Sequence, residues 1–242
     1  MTARQKAAVQ AAPPQNTGQR PGGSRGPAVA ALEILNSMPG KTAGTAGALG
    51  AARRVSTVMA MNTSDLVTHQ FADDGRIPNN PVLPLVLYRG GIHLAGTPYP
   101  EDLVEKKFAA NGWVDIWRND SVYAYPHYHS TIHEVMAVAR GRTVVRFGGA
   151  AGCEIDIGPG DVVILPAGTG HQGLFASPGL VVVGAYPPDG TYNLRRASKA
   201  ERAKAVQEIL NVPPPAVDPV FGPNGPLLTL WRAAETDRAL TV

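Results

Sequence analysis

The sequence predicts an all-β domain, built as an antiparallel sandwich or barrel, after about residue 60. Short strand-like segments follow one another from Val114 to Tyr186, and Gly- and Pro-containing turns separate them. Two histidines, His127 and His129, stand two positions apart and would share one face of a strand. Another histidine, His171, follows in a later segment. Bringing these rings together requires strands from distant parts of the chain to lie side by side, as they do in a closed β-barrel.

The strands are predicted from apolar runs that Gly, Pro and Ser segments interrupt. They are Val114–Arg118, Ser121–His129, Glu134–Arg140, Thr143–Phe147, Glu154–Ile157, Asp161–Leu165, Gly170–Phe175 and Leu180–Tyr186. Before them, Pro100 to Asp102 opens a short helix that ends at Asn111-Gly112, because proline and acidic residues favour a helix start and glycine a helix end. Residues 77–88 contain three prolines, which predicts extended chain or an edge strand.

The C-terminal part predicts one further helix and an ordered tail. Ser198 and Glu201 have the spacing of a capping box, and Val206, Ile209 and Leu210 then recur on one helical face. This C-terminal helix should pack on the barrel and end before the three prolines at 213–215. Residues 218–232 are rich in Gly and Pro but carry several leucines and a tryptophan, so we expect them to be ordered against the barrel or across a subunit interface.

Residues 1–60 differ from the rest in composition. They hold seven basic residues against one acidic residue, a net charge of +6, and little apolar periodicity apart from a weak helical patch at residues 28–38. We expect a low-complexity, disordered extension, since such a segment buries too little apolar surface to offset the entropy of ordering it. Two alternatives remain: translation starting near Met59 or Met61, and an organelle-targeting peptide. Residues 61–242 then form a single domain.

Composition excludes several classes of function. The chain is 44% hydrophobic and 17% charged, which are globular values. Its net charge of +3 arises from the first 60 residues, and the remainder has 15 basic and 18 acidic residues, so no nucleic-acid partner is expected. No apolar run reaches the roughly 18 residues of a membrane span. Cys153 is the only cysteine, which rules out an intrachain disulfide, and a cytoplasmic location is expected.

The candidate functional residues are His127, His129, Glu134 and His171. Imidazole nitrogens with a carboxylate are ligand types of first-row metals, and Glu134 would enter from the strand after a short turn. Three histidines and one glutamate leave coordination positions open for water or substrate if the metal is five- or six-coordinate, unlike a closed structural zinc site. Fe, Mn, Ni and Zn are all acceptable on this donor set. His133 should point to the opposite face of its strand, where it faces outward or supports a ligand from behind.

Four further residues are candidates for the lining of a pocket. Tyr123 and Tyr125 share the strand parity of His127, although simple core packing is the alternative for both rings. Met136 follows Glu134 in parity and would form an apolar wall. Arg146 could hold a substrate carboxylate or phosphate, although an exposed position between strands is the alternative. His69 and His93 lack spaced partners, and we expect them to be structural.

Two motifs, in order, carry a resemblance to a known superfamily. The first is HxH-x4-E-x6-G from His127 to Gly141, and the second is G-x5-P-x-G-x2-H from Gly160 to His171. Together they resemble the two motifs of the cupin superfamily. Segments 112–119 and 218–231 are similar to the bacterial YjlB-like group of single-domain cupins, and the wider resemblance covers about residues 64–232. The glycine that usually opens the first motif is Ser121 here, and the asparagine that usually closes the second is Phe175.

The resemblance implies a double-stranded β-helix, or jelly-roll cupin barrel, with flanking short helices and one divalent metal held by His127, His129, Glu134 and His171. It implies a metal-dependent enzyme acting on a small organic molecule, of the oxygenase or the isomerase and lyase type. A non-catalytic module that binds a metal or a small ligand is the alternative, since a fold does not fix a function. A third possibility is a structural barrel in which the metal only holds the strands together. A homodimer through barrel edges is the expected assembly.

Overall fold

The computed structural model describes residues 65–240, and these residues form two antiparallel β-sheets with three helices. The strands are β1 Leu66–His69, β2 Leu85–Tyr88, β3 Val114–Asn119, β4 His127–Tyr128, β5 Glu134–Arg140, β6 Thr143–Phe147, β7 Cys153–Ile157, β8 Val162–Leu165, β9 His171–Ala176, β10 Val181–Tyr186 and β11 Arg195–Arg196. The helices are α1 Pro100–Ala110, α2 Lys199–Leu210 and α3 Pro226–Leu240.

The two sheets face each other as a jelly-roll barrel. One sheet has the order β1-β2-β8-β5-β10-β3 and the other the order β11-β4-β9-β6-β7. Side chains of both sheets fill the space between them, including Met136 and Val138 from β5 and Val145 and Phe147 from β6. Because successive residues of a strand alternate in direction, Met136 and Val138 point into the barrel together with Glu134. The fold is therefore the double-stranded β-helix that the motifs imply.

The outer face of the six-stranded sheet is also buried. Val135 and Ala137 of β5 point away from the barrel interior and pack with Phe108 of α1 and with Leu227 and Trp231 of α3. A sheet covered on both faces has continuously apolar strands, since neither face meets water. This explains why β2 and β8 are buried at every position and show no polar alternation.

Several strand predictions are confirmed, and two need correction. The structure places β5 and β6 at the predicted boundaries. The strand predicted over residues 121–129 is a strand only at His127–Tyr128. Its earlier residues run beside β9 without regular pairing, through hydrogen bonds to the carbonyl oxygens of Tyr123 and Ala124. The predicted edge strand in residues 77–88 is also wrong, because the prolines all precede β2, which pairs with β1 and β8 on its two sides.

The C-terminal helices depart from the prediction in detail. The helix after Ser198 forms as expected, but the Ser198 side chain makes no capping hydrogen bond. Glu201 instead accepts a hydrogen bond from the backbone N–H of Arg196, so the predicted capping box is wrong. Residues 226–240 form α3, which was expected only as an ordered tail. Buried Asp218 fixes the start of α3 by accepting hydrogen bonds from the Leu227 N–H and the Tyr88 hydroxyl.

The predictions for the N-terminal residues 1–60 fall on a part of the chain that the structure does not describe, and they stay predictions. The single domain predicted for residues 61–242 likewise stays a prediction. Among residues 65–240, no helix has both the length and the apolar character needed to cross a bilayer. Cys153 is half-buried beside the barrel core, and its sulfur lies 3.8 Å from Nδ1 of His69.

Candidate metal centre

The fold brings His127, His129 and His171 together at the end of the barrel, and Glu134 lies beside two of them. His127 on β4 and His171 on β9 are directly paired, and their ring centroids are 3.9 Å apart. A ligand nitrogen from each of the three histidines lies within 4.8 Å of the others. Glu134, the first residue of β5, reaches across from the other sheet. Its Oε2 lies 3.4 Å from Nε2 of His129 and 3.3 Å from Nε2 of His171.

Backbone carbonyls hold all three histidine rings in the same tautomer. Nδ1 of His127 donates to the carbonyl oxygen of Tyr125 at 3.0 Å, and Nδ1 of His171 donates to that of Thr169 at 3.1 Å. Nδ1 of His129 donates to the carbonyl of Asn193. With the proton on Nδ1, the Nε2 of each neutral ring keeps its lone pair. Metal-binding histidines use this arrangement, in which the second ring nitrogen is fixed by a hydrogen bond.

The electrostatics of the cluster fit a cation. Burial alone would raise the pKa of Glu134, but in the metal-free site the charge on a protonated His129, together with the neighbouring His171, holds it well below its usual range, so the carboxylate is ionised. Burial, together with the neighbouring His171 and His129 rings, lowers the pKa of His127 to about 2 and keeps that ring neutral. Burial opposes protonation of His129 as well, but the Glu134 carboxylate outweighs it and raises the pKa of His129.

One buried oxygen atom of the cluster has no hydrogen-bond partner. Oε2 of Glu134 is buried and has no hydrogen-bond partner, although two Nε2 atoms face it. An ionised oxygen in this position costs several kcal/mol unless it is paired or bound to a metal. A divalent cation between Oε2 and the three Nε2 atoms would satisfy all four donors at once. The residues present therefore fit a metal ion.

His133 lies on the other face of the chain, as its parity predicts, but it is fully buried and not outward-facing. Its Nδ1 accepts a hydrogen bond from the backbone N–H of Ala167, and its Nε2 donates to the carbonyl of Pro213. Its ring contacts that of Trp231, with centroids 4.7 Å apart. His133 therefore ties the strand that carries Glu134 to the turn before His171 and to the C-terminal segment.

We expect His133 to make the metal-free protein sensitive to acid. Burial lowers the pKa of His133 to about 4. The unfolded chain takes up this proton below about pH 6.5, so stability falls as the pH drops from 6.5 towards 4. Between pH 7.5 and pH 5, this group should remove about 2 kcal/mol from the free energy of unfolding. Urea titrations of the chelator-treated proteins measure the free energy of unfolding at both pH values. The loss between pH 7.5 and pH 5 should be smaller by that amount in His133→Gln than in wild type.

The same pH dependence in both proteins would contradict this assignment. Working without metal matters, since protonation of the ligands would otherwise release the ion and add its own pH dependence. Contributions from the other histidines are common to both proteins and cancel in the comparison.

Tyrosine rings flank two of the histidines. Tyr123 and Tyr125 stack on each other, with centroids 4.9 Å apart, and both meet the His127 ring edge-on. Tyr186 also meets His129 edge-on, and the Tyr192 ring lies tilted against His129, with centroids 4.9 Å apart. The Tyr186 hydroxyl donates to Oε1 of Glu134 at 3.2 Å. Tyr123 and Tyr125 thus lie beside His127, and two further tyrosines lie beside His129; the pocket lining predicted for Tyr123 and Tyr125 stays a prediction.

The other two predicted lining residues lie apart from the tyrosines. Met136 packs inside the barrel core below Glu134. Arg146 pairs with Gln172 across the strands, while its neighbour Phe147 pairs with His171, so Arg146 projects on the opposite face from His171. Its guanidinium bonds Glu154 at 2.6 Å. Arg146 also lines a pocket of 90 Å³ together with Gly149, Ala150 and Gln172.

A hydrogen-bond network fixes the loop that carries Tyr192. Ser130, next to His129, donates its backbone N–H to the side chain of Asn193 at 2.9 Å, and its hydroxyl to Glu208 of α2 at 2.5 Å. Arg195 binds both carboxylate oxygens of Glu208. Helix α2 thereby holds the loop over the histidines, and the loop supplies the carbonyl that orients His129.

Sequence reasoning missed Tyr186, Tyr192 and the residues of this loop. For Tyr186 a signal existed, because it shares the parity of Val182, which points into the barrel. Tyr192 and Asn193 carry no such signal. They lie in irregular chain between β10 and β11, where side-chain direction follows no period.

The comparisons with known proteins identify the family. A search of protein-family models found no match. The uncharacterized protein YjlB of Bacillus subtilis strain 168 is 42% identical over 164 residues, which cover 68% of this chain and 95% of that protein. The chain belongs to the YjlB family.

Among solved structures, the similarities to this YjlB-family barrel are distant. The QdtA 3,4-ketoisomerase of Thermoanaerobacterium thermosaccharolyticum is 14% identical, covers 40% of this chain and 72% of its own, and has a TM-score of 0.32. Acireductone dioxygenase of Bacillus anthracis is 16% identical, with 37% and 61% covered and a TM-score of 0.28. The dTDP-4-dehydrorhamnose 3,5-epimerase of Elizabethkingia anophelis is 14% identical, with 34% and 52% covered and a TM-score of 0.28.

Proposed function

We propose that this protein is a divalent-metal-dependent enzyme that acts on a small organic molecule. His127, His129, His171 and Glu134 hold the metal. The observation that carries the proposal is the buried, ionised Oε2 of Glu134, which has no hydrogen-bond partner and faces two histidine Nε2 atoms. A site meant only for packing would not keep a carboxylate in this position, because its burial is costly.

The surroundings support catalysis more than a purely structural role. A metal on this donor set supplies a Lewis acid or redox centre with positions left for a substrate. Tyr186 donates a hydrogen bond to Oε1 of Glu134, and burial raises the pKa of its hydroxyl far above neutrality. The Tyr186 oxygen therefore keeps its proton and orients the carboxylate. The rings of Tyr123 and Tyr125 pack against His127, and the ring of Tyr192 packs against His129.

The proposal predicts about one divalent metal per chain after purification without chelator. His127→Ala and His171→Ala should each lose most of it, since losing one ligand of four leaves an incomplete site. His93→Ala is the matched control, because His93 is exposed and lies outside the cluster. Elemental analysis measures the content, and it also identifies Fe, Mn, Ni or Zn. Wild type without metal, or ligand variants that keep it, would refute the ligand assignment.

Turnover distinguishes the enzyme from the binding module. Oxygen uptake and substrate loss should be followed with the metal-loaded protein across a panel of small acids, thiols and sugars. Turnover that disappears in His127→Ala but persists in His93→Ala would support the enzyme. Full metal content with no turnover of any compound would favour a non-catalytic metal-binding module. The cytoplasmic location and the homodimer remain proposals beside this one.

A further inference from the structure

We propose that Arg196 forms an anion-binding subsite beside the metal centre, and that the substrate is a small oxyanion, a carboxylate or a phosphate. The inference rests on the proposed metal function, since the remainder of the substrate would lie at the metal. The sequence suggests Arg146 as the cation that holds the substrate. The structure favours Arg196 instead, which lies in β11 after the loop that follows β10.

The sheet register places Arg196 on the face of the histidines. In the β4 and β11 pair, Arg196 lies directly opposite His127, and Arg195 lies opposite Tyr128. Residues paired across antiparallel strands project from the same face of the sheet. Arg196 therefore projects on the side of His127. Arg195 projects on the other side, where Glu208 binds its guanidinium.

The Arg196 guanidinium stacks on an aromatic ring and is not paired with a carboxylate. Its carbon lies 3.9 Å from the centroid of the Tyr125 ring. Among residues 65–240, seven other arginines form ion pairs with carboxylates, whereas no carboxylate lies within ion-pair distance of the Arg196 guanidinium. The nearby Glu201 accepts a hydrogen bond from the backbone N–H of Arg196. Stacking orients the guanidinium and leaves its N–H edge for a ligand.

The neighbouring groups also suit an anion. Tyr123 and Tyr192 flank His127 and His129, and their hydroxyl groups can donate hydrogen bonds to an anion. Glu134 is the acidic member of the cluster, and a divalent ion would outweigh its single charge. With Arg196 added, the site carries a net positive charge. The planar guanidinium fork matches the two oxygens of a carboxylate or a phosphate.

Hydroxamates provide matched probes, since they chelate metals and can carry a second group. Calorimetry on the metal-loaded protein should compare acetohydroxamate with the monohydroxamates of succinate, glutarate and adipate, which add a carboxylate at increasing reach. A phosphonate analogue of the best chain length separates a preference for phosphate from one for carboxylate. We expect one chain length to bind wild type roughly tenfold more tightly than acetohydroxamate, the effect of one charge-assisted contact.

Arg196→Ala should remove this preference while leaving the affinity for acetohydroxamate unchanged, and Arg196→Lys should restore only part of it. Arg142→Ala is the control, because Arg142 is exposed and pairs with Asp156. The subsite is refuted if Arg196→Ala keeps the preference, or if wild type shows none. If acetohydroxamate itself fails to bind the metal-loaded protein, the metal has no open coordination position for a substrate, and the catalytic part of the proposed function fails. Glutarate titrated into the metal-free wild type and Arg196→Ala then decides the subsite separately.

Discussion

Removal of the bound metal with a chelator is expected to lower the melting temperature by about 10 °C. His127 and His171 belong to one sheet and Glu134 to the other, so a metal would join the two sheets at this end of the barrel. An ion present at a thousand times its dissociation constant adds about 4 kcal/mol to stability. For a domain of this size, each kcal/mol corresponds to roughly 2–4 °C.

The metal-free site has a further reason to be less stable. Without a cation, the Glu134 carboxylate keeps a buried oxygen that has no hydrogen-bond partner. Calorimetry before and after chelation, followed by addition of the metal, measures the effect. His171→Ala should melt at the same temperature with and without chelator. A chelator that lowers the melting temperature of His171→Ala as much as that of wild type would place the metal elsewhere.

The parts of the site that follow a strand period could be predicted from the sequence. His127 and Glu134 begin β4 and β5, and the parity of these strands decides which side chains meet. The same parity separates His133 from the cluster. The sequence did not reveal that His133 is buried, because the elements that cover it, Pro213 and Trp231, come from a segment more than 75 residues later.

The parts that depend on tertiary packing could not be predicted. Residues 226–240 have a weak helical pattern, and they form α3 because Leu227 and Trp231 pack against the outer face of a sheet. Helix formation here follows from packing more than from propensity. The position of Arg196 could not be predicted either. Only the pairing of the two-residue strand β11 with β4 places it opposite His127, and a strand that short leaves no periodic signal.

Truncation of Trp231 is expected to cause the largest loss of stability, about 3–5 kcal/mol for Trp231→Ala. The side chain is fully buried, and its Nε1 donates to the carbonyl of Pro84 at 2.9 Å. Leu240→Ala is the control in the same helix, since Leu240 is 81% exposed and should change stability by less than about 0.5 kcal/mol. Urea unfolding of both variants measures the difference.

The same substitution also tests how the C-terminal helix supports the metal centre. The Trp231 ring packs against His133, which adjoins Glu134 and accepts a hydrogen bond from the turn that leads to His171. Loss of the ring should therefore weaken metal binding in the variant that remains folded, whereas Trp231→Phe, which keeps a ring against His133, should retain most of it. If Trp231→Ala binds metal as tightly as wild type, α3 stabilises the barrel without helping to position Glu134, and Ala167 and Pro213 alone hold His133 in place.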